Sequence, residues 1–213
     1  TELNFGFTAG TGGASEEHDI LSWTIDAPAP VDDSTPPTPP GATNLIYPNF
    51  GTTTDFRFNG NAAKSGDRLR LTTAGTSQAG SAFRNAPVVL PASYSFSTNF
   101  AFQIGGSGPA GITDTDDVGA DGFTFTMHRD SRGAAALGGL GCGLGLTNCN
   151  STNNIRAYVA VEFDTWPSGA LDLPGNTNGN HVAIDASTSQ QSLFQSTAAL
   201  TRFNNGATQY VWI

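Results

Sequence analysis

Tyr158-Val159-Ala160-Val161-Glu162-Phe163-Asp164-Thr165-Trp166 is read as a β-strand that carries two carboxylates at alternate positions. Strand side chains alternate faces, so Glu162 and Asp164 point one way and Val161 and Phe163 the other. Two like charges side by side repel, so either a cation sits between them or one of them holds a proton. Asp172 and His181 follow downstream and complete the ligand types of a metal site. A bound cation is therefore the leading reading; the alternative is a pair of carboxylates facing solvent at a sheet edge.

The same two-residue period runs outward from this stretch. Phe56-Arg57-Phe58, Arg68 to Thr72, Tyr94 to Ile104 with its apolar face on even numbers, Gly122 to Met127, His181 to Ile184 and Tyr210 to Ile213 all alternate. Turn residues separate them, as at Asn59-Gly60, Ser65-Gly66-Asp67 and Asn204-Asn205-Gly206. No segment shows a helical period. The expected architecture is all-β, two antiparallel sheets packed face to face.

Composition agrees. The chain has 213 residues with Gly 26, Pro 12 and Phe 14, a single lysine (Lys64) and a formal net charge of -9. One large core is expected at this length. The acidity disfavours nucleic acid or an anionic membrane as a partner and suits an extracellular or cell-surface protein. No run is long and apolar enough to span a bilayer, so no membrane insertion is expected. No signal peptide opens the sequence, so a signal for secretion is expected to lie outside it. Cys142 and Cys149 flank a six-residue glycine-rich segment and form a disulfide if the compartment is oxidising, or remain free thiols if it is not.

Residues 26–44 are proline-rich and read as a stiff linker. They divide a short piece, 1–25, from a long piece, 45–213. The short piece holds two strand candidates, Leu3–Phe7 and Ile20–Ile25, joined by a glycine-rich bend. A lone two-stranded ribbon is marginal, so these strands are expected to pair with a larger sheet.

These residues resemble the L-type (legume-like) lectins and their bacterial relatives. The likeness lies in Ile46 to Phe50, Ser81 to Val88, Ala120-Asp121-Gly122-Phe123, the glycine-rich Gly138 to Leu146, Val159 to Trp166, and His181 to Asp185. It implies a concanavalin-like jelly-roll sandwich that binds glycans without catalysis and depends on Ca2+ and a transition ion such as Mn2+. By the resemblance, Glu162 and His181 hold the transition ion, Asp164 and Asp172 bridge both ions, and the Trp166 carbonyl with Ser168 completes the calcium shell. The family has asparagine where this chain has Ser168. Asn176 is an alternative to Asp172 as the ligand nearest His181. Asp121 is implied as the sugar-binding carboxylate, preceded by a cis Ala120-Asp121 bond, with Gly141 donating a backbone amide. The Gly12 to Ser15 bend, including Ala14 and Ser15, matches the loop that tunes sugar choice.

Phe5 to Gly13 with Glu17 to Trp23 resembles the end of the family's domain, although here it comes first. Residues 1–25 are thus expected to be a displaced closing hairpin, and 45–213 the main part of the domain. Either the chain is cut from a tandem array or it is a permuted domain with a stretch absent between Ile213 and Thr1. In both cases the hairpin completes a sandwich, in its own chain or in a neighbour's, and the second case implies a homo-oligomer or filament.

A structural module of an extracellular adhesin or filament is the competing function. A glycoside hydrolase of the same sandwich class is disfavoured. Laminarinase-type enzymes carry E-x-D-x-x-E, and Pro167 stands where the final glutamate belongs, whereas retention needs two carboxyls about 5–5.5 Å apart. His18 is expected to be structural and His128 to lie at the surface. Asp114-Thr115-Asp116-Asp117 is read as an exposed acidic loop, and Asn150-Ser151-Thr152 as a glycosylation sequon.

Overall fold

The computed structural model describes residues 1–27, 43–90, 95–106, 119–149, 153–169, 171–174, 178–187, 191–197 and 201–213. Most of the proline-rich linker, the 114–117 acidic loop, the 150–152 sequon and Asn176 lie outside the described residues.

In chain order the strands are β1 (Glu2–Thr11), β2 (Glu17–Ala27), β3 (Thr43–Tyr47), β4 (Phe56–Gly60), β5 (Ala63–Ser65), β6 (Arg68–Thr72) and β7 (Gln78–Arg84). They continue with β8 (Val88–Val89), β9 (Ser97–Gly105), β10 (Gly122–His128), β11 (Tyr158–Thr165), β12 (Asn180–Ala186), β13 (Phe194–Ser196) and β14 (Gln209–Trp212). One sheet runs β13-β12-β11-β10-β1-β7-β4, with β8 also pairing β1. The other runs β14-β9-β2-β6-β5, with β3 also pairing β2. Every pairing is antiparallel, as the alternating patterns implied.

β1 and β2 do not pair with each other, so residues 1–25 do not form the expected hairpin; each strand instead sits in the middle of a different sheet. β1 lies between β7 and β10, and β2 between β6 and β9. β2 and β3 reach two residues into each end of the proline-rich segment, where Ala27 is the register partner of Thr43.

The core fills the space between the sheets with aromatic rings. Phe7 meets Trp23 edge-on at 4.9 Å, and Phe123 stacks on Phe163 at 4.8 Å. Such pairs add about 0.5–1.5 kcal/mol each beyond the area they bury. Trp23 Nε1 donates to Thr98 Oγ1 at 2.9 Å, so burying the indole leaves no orphaned donor. β2 does not keep one period along its length. A bulge between Ile20 and Ser22 resets its phase, so Ile20, Trp23 and Ile25 all reach the core.

A second apolar layer covers the outer face of the larger sheet. Phe83, Ala136, Leu146, Ile155, Tyr158 and Ala160 cluster there, beneath the segment that connects β10 to β11. This layer overturns the surface position expected for His128. The histidine is fully buried inside β10, and its ring meets Phe83 edge-on at 4.5 Å.

Candidate metal and ligand site

β11 and β12 assemble the acidic cluster. Asp164 is the direct cross-strand partner of His181, and Glu162 shares its face one pleat away. One ligand atom from each of Glu162, Asp164 and His181 falls within a 4.8 Å span. His181 Nε2 lies 3.7 Å from Asp164 Oδ2 and 3.6 Å from Asp172 Oδ1. Its Nδ1 is 3.2 Å from the Asn178 carbonyl, which can only accept, so Nδ1 carries the proton and Nε2 presents a lone pair to the carboxylates.

The turn after β11 brings in the remaining expected ligands. Trp166 N donates to Asp164 Oδ1 at 2.7 Å, and Ser168 N donates to Asp172 Oδ2 at 2.7 Å. Ser168 Oγ lies 3.5 Å from Asp164 Oδ2 and 3.4 Å from the Trp166 carbonyl oxygen. Asp164, Trp166, Ser168 and Asp172 thus turn their oxygens toward one small region.

The charges there are unfavourable on their own. Burial pushes the Glu162 carboxyl well above the usual range, with Asp185 and then Asp172 adding to the effect. Burial does the same to Asp164, with Glu162 and Asp172 adding. His181 is the basic group beside them, and burial lowers its affinity for a proton. Each buried ion costs several kcal/mol even after relaxation. Carboxylate oxygens with one neutral imidazole suit a divalent cation, which reverses these proton preferences. The residues present therefore fit a metal.

Asp121 adjoins this cluster at the start of β10, after a cis Ala120-Asp121 bond. Its N donates to the Gly10 carbonyl at 3.1 Å, and its own carbonyl accepts from Thr165 N at 2.9 Å. Gly122 follows at φ 142, where a Cβ would fall 2.4 Å from the Phe163 carbonyl oxygen, so only glycine lets β10 leave this bond. Oδ2 of Asp121 is buried with no hydrogen-bond partner among the described residues. Burial, with Glu16 adding, pushes its carboxyl up to about 7, and a backbone hydrogen bond from Gly12 opposes the shift. A Cβ built on Gly12 would lie 3.1 Å from Asp121 Oδ2 and 3.5 Å from the Gly141 Cα. Gly12, Asp121 and Gly141 therefore surround one small space.

β1 anchors the loop that carries Gly141. Thr8 Oγ1 donates to the Leu144 carbonyl at 2.6 Å and lies 2.8 Å from Thr124 Oγ1, docking the glycine-rich loop on the sheet. Cys142 and Cys149 are joined by a disulfide that clasps the same loop. Ala14 and Ser15 are buried, and the Ser15 hydroxyl donates to the Ala74 carbonyl at 3.0 Å. Sequence reading assigned no role to Asp185, which hydrogen-bonds both Ser192 and Glu162, or to Glu16. For Asp185 a signal existed. Ala160 pairs with Asp185, so Asp185 is the diagonal neighbour of Glu162 on one face, but this needs the β11–β12 register.

The legume lectin domain family matches residues 42–213. The chain belongs to the legume lectin family. β1 and β2 lie outside the matched stretch, although each fills the centre of one sheet. This legume lectin domain is 32% identical over 147 residues to a protein named lectin from Bauhinia forficata, covering 65% of this chain and 57% of that one. It is 34% identical over 154 residues to L-type lectin-domain containing receptor kinase I.7 from Arabidopsis thaliana, covering 70% of this chain and 21% of that one. The chain thus spans under two thirds of the length of both relatives.

Proposed function

We propose that this chain is a divalent-metal-dependent, non-catalytic carbohydrate-binding module of an extracellular or cell-surface protein. The observation that carries the reading is the buried Asp121 carboxylate, with an unpaired Oδ2, facing the space between Gly12 and Gly141 beside the Glu162–Asp164–His181 cluster. An ionised carboxylate accepts hydrogen bonds from two sugar hydroxyls, and backbone amides of the glycine-rich loop donate to others. Glycine at 12 keeps a side chain out of the gap beside Asp121.

Glu162 and His181 would hold a transition ion such as Mn2+, with Asp164 and Asp172 shared with Ca2+, whose shell the Trp166 carbonyl and Ser168 would complete. When bound, the metal supplies positive charge that favours the ionised forms of Asp164 and its neighbour Asp121. Asp121 near neutrality without that charge would be partly protonated and a poorer acceptor. The Cys142–Cys149 disulfide supports an oxidising, extracellular compartment. Residues 1–25 would close the sandwich, and the place of β1 and β2 at the middle of the two sheets supports that role.

A calorimetric glycan panel, run with and without chelator, tests the reading. Metal-dependent binding of at least one monosaccharide class is expected. A panel with no binding in the presence of calcium and manganese would leave a structural role in its place.

A further inference from the structure

Glu16 lies between β1 and β2 and is 1% exposed. Its buried carboxylate is divided among three separate parts of the chain. Oε1 accepts from the Thr165 hydroxyl and lies 3.2 Å from His18 Nε2. Oε2 accepts from Asn204 Nδ2 at 3.1 Å. The backbone of Gly119 packs against the same oxygen, so closely that a Cβ there would fall 2.4 Å from it. His18 is in turn held by Thr72, whose Oγ1 lies 2.6 Å from Nδ1.

Two of these contacts, those with Thr165 and Gly119, border the ligand site. Thr165 follows Asp164 directly, and its N–H holds the Asp121 carbonyl. Gly119 immediately precedes the Ala120-Asp121 bond. A buried carboxyl group needs its oxygens satisfied, and here each of them has a hydrogen-bond partner. A core position would be filled at less cost by an apolar side chain.

We propose that Glu16 is a positioning residue of the ligand site: it fastens the β1–β2 connection to Thr165 and packs against Gly119, on the two sides of Asp121, so the Asp121 carboxylate is aimed correctly only when that connection is docked. The functional half of this proposal rests on the carbohydrate-binding reading given above. Glu16 touches neither the sugar nor the metal. It acts through the backbone that carries Asp121. Loss of the carboxylate loosens the Thr165–Asp121 hydrogen bond before it loosens the core.

The test compares the full chain with its Glu16→Ala and Glu16→Gln variants by amide hydrogen exchange and by retention on mannose-agarose and galactose-agarose in calcium and manganese. In Glu16→Ala, exchange at the Thr165 and Asp121 amides should quicken at least tenfold while Phe125, in the middle of β10, keeps its wild-type rate. Retention on whichever resin holds the wild type should fall at least tenfold. Glu16→Gln keeps an oxygen for Thr165 but turns an amide toward Asn204, so it should fall between the two. If the alanine variant does not fold, the glutamine variant decides by the same two readouts. Local amides that track Phe125 in both variants, or full resin retention by a folded Glu16→Ala, would overturn the proposal. A wild type that binds neither resin would count against the carbohydrate reading, and the exchange measurement then decides the role of Glu16 by itself.

Discussion

His181 and Asp164 are direct register partners across β11 and β12, and His181 Nε2 stands 3.7 Å from Asp164 Oδ2. That separation is wider than a hydrogen bond and suits two ligands converging on a shared ion. Metal should therefore stabilise the fold. Ligand at a hundredfold excess over its dissociation constant stabilises by about 2.7 kcal/mol, and for a chain of this size each kcal/mol raises Tm by about 2–4 °C. Calorimetry should show Tm falling by about 5–10 °C on chelation and recovering when calcium and manganese are restored.

The response to pH should change with metal. Without metal, burial raises the carboxyls of Asp121, Glu162 and Asp164 above their unfolded values, so the folded state holds more protons than the unfolded one. Stability is then greatest below the unfolded carboxyl range near 4 and declines as pH rises, toward about 7 for Asp121. His181 is shifted downward and pulls the other way, its contribution being lost as pH falls below its unfolded value. The three carboxyls should dominate, so Tm in chelator falls between about pH 4 and 7. With metal bound the carboxylates are favoured as ions, and Tm should rise over the same range. Parallel melts across that range check both slopes.

Gly12→Ala separates binding from folding. No positive φ demands glycine at this position, yet the new Cβ would sit 3.1 Å from Asp121 Oδ2. Glycan affinity should drop by tenfold or more with Tm changed little, because the tight Cβ contact is offset by the restriction alanine places on the unfolded chain, about 0.4–1 kcal/mol. Calorimetry and a thermal melt of one preparation give both numbers.

Ser168→Asn should strengthen the site. The serine hydroxyl reaches only to 3.4–3.5 Å from the Trp166 carbonyl and Asp164. A longer side chain with a carbonyl oxygen can approach a calcium ion more fully. One added contact to a charged group is worth about 1.5 kcal/mol, or roughly tenfold in calcium affinity. Calcium titration of the two proteins compares them directly.

Much of the fold was legible because alternation is local. Arg68–Thr72 has the bounds its pattern implied, and the even-numbered apolar face of the Ser97–Gly105 strand is buried at Phe100, Phe102 and Ile104. Glu162 and Asp164 fall on one face for the same reason. Features set by distant contacts were harder to read. The bulge near Leu21 changes which residues of β2 face inward and depends on pairing with β9. β7 contains Gly80 and Ser81 and lacks a strong pattern, yet β1 and β4 pair with it on both sides. His128 looked superficial because the ring against it comes from Phe83 on β7, far away in sequence. Glu16 meets Thr165 and Asn204 across 149 and 188 positions, a distance no local pattern spans.

The central claim is that the cluster around Asp164 holds a divalent ion on which ligand binding at Asp121 depends. Calorimetric titration of the bound monosaccharide into calcium- and manganese-loaded protein, then into the same protein after chelation, tests it most directly. Measurable binding is expected in the first titration, none in the second, and full recovery when the metals are returned. Equal affinity with and without chelator would contradict it.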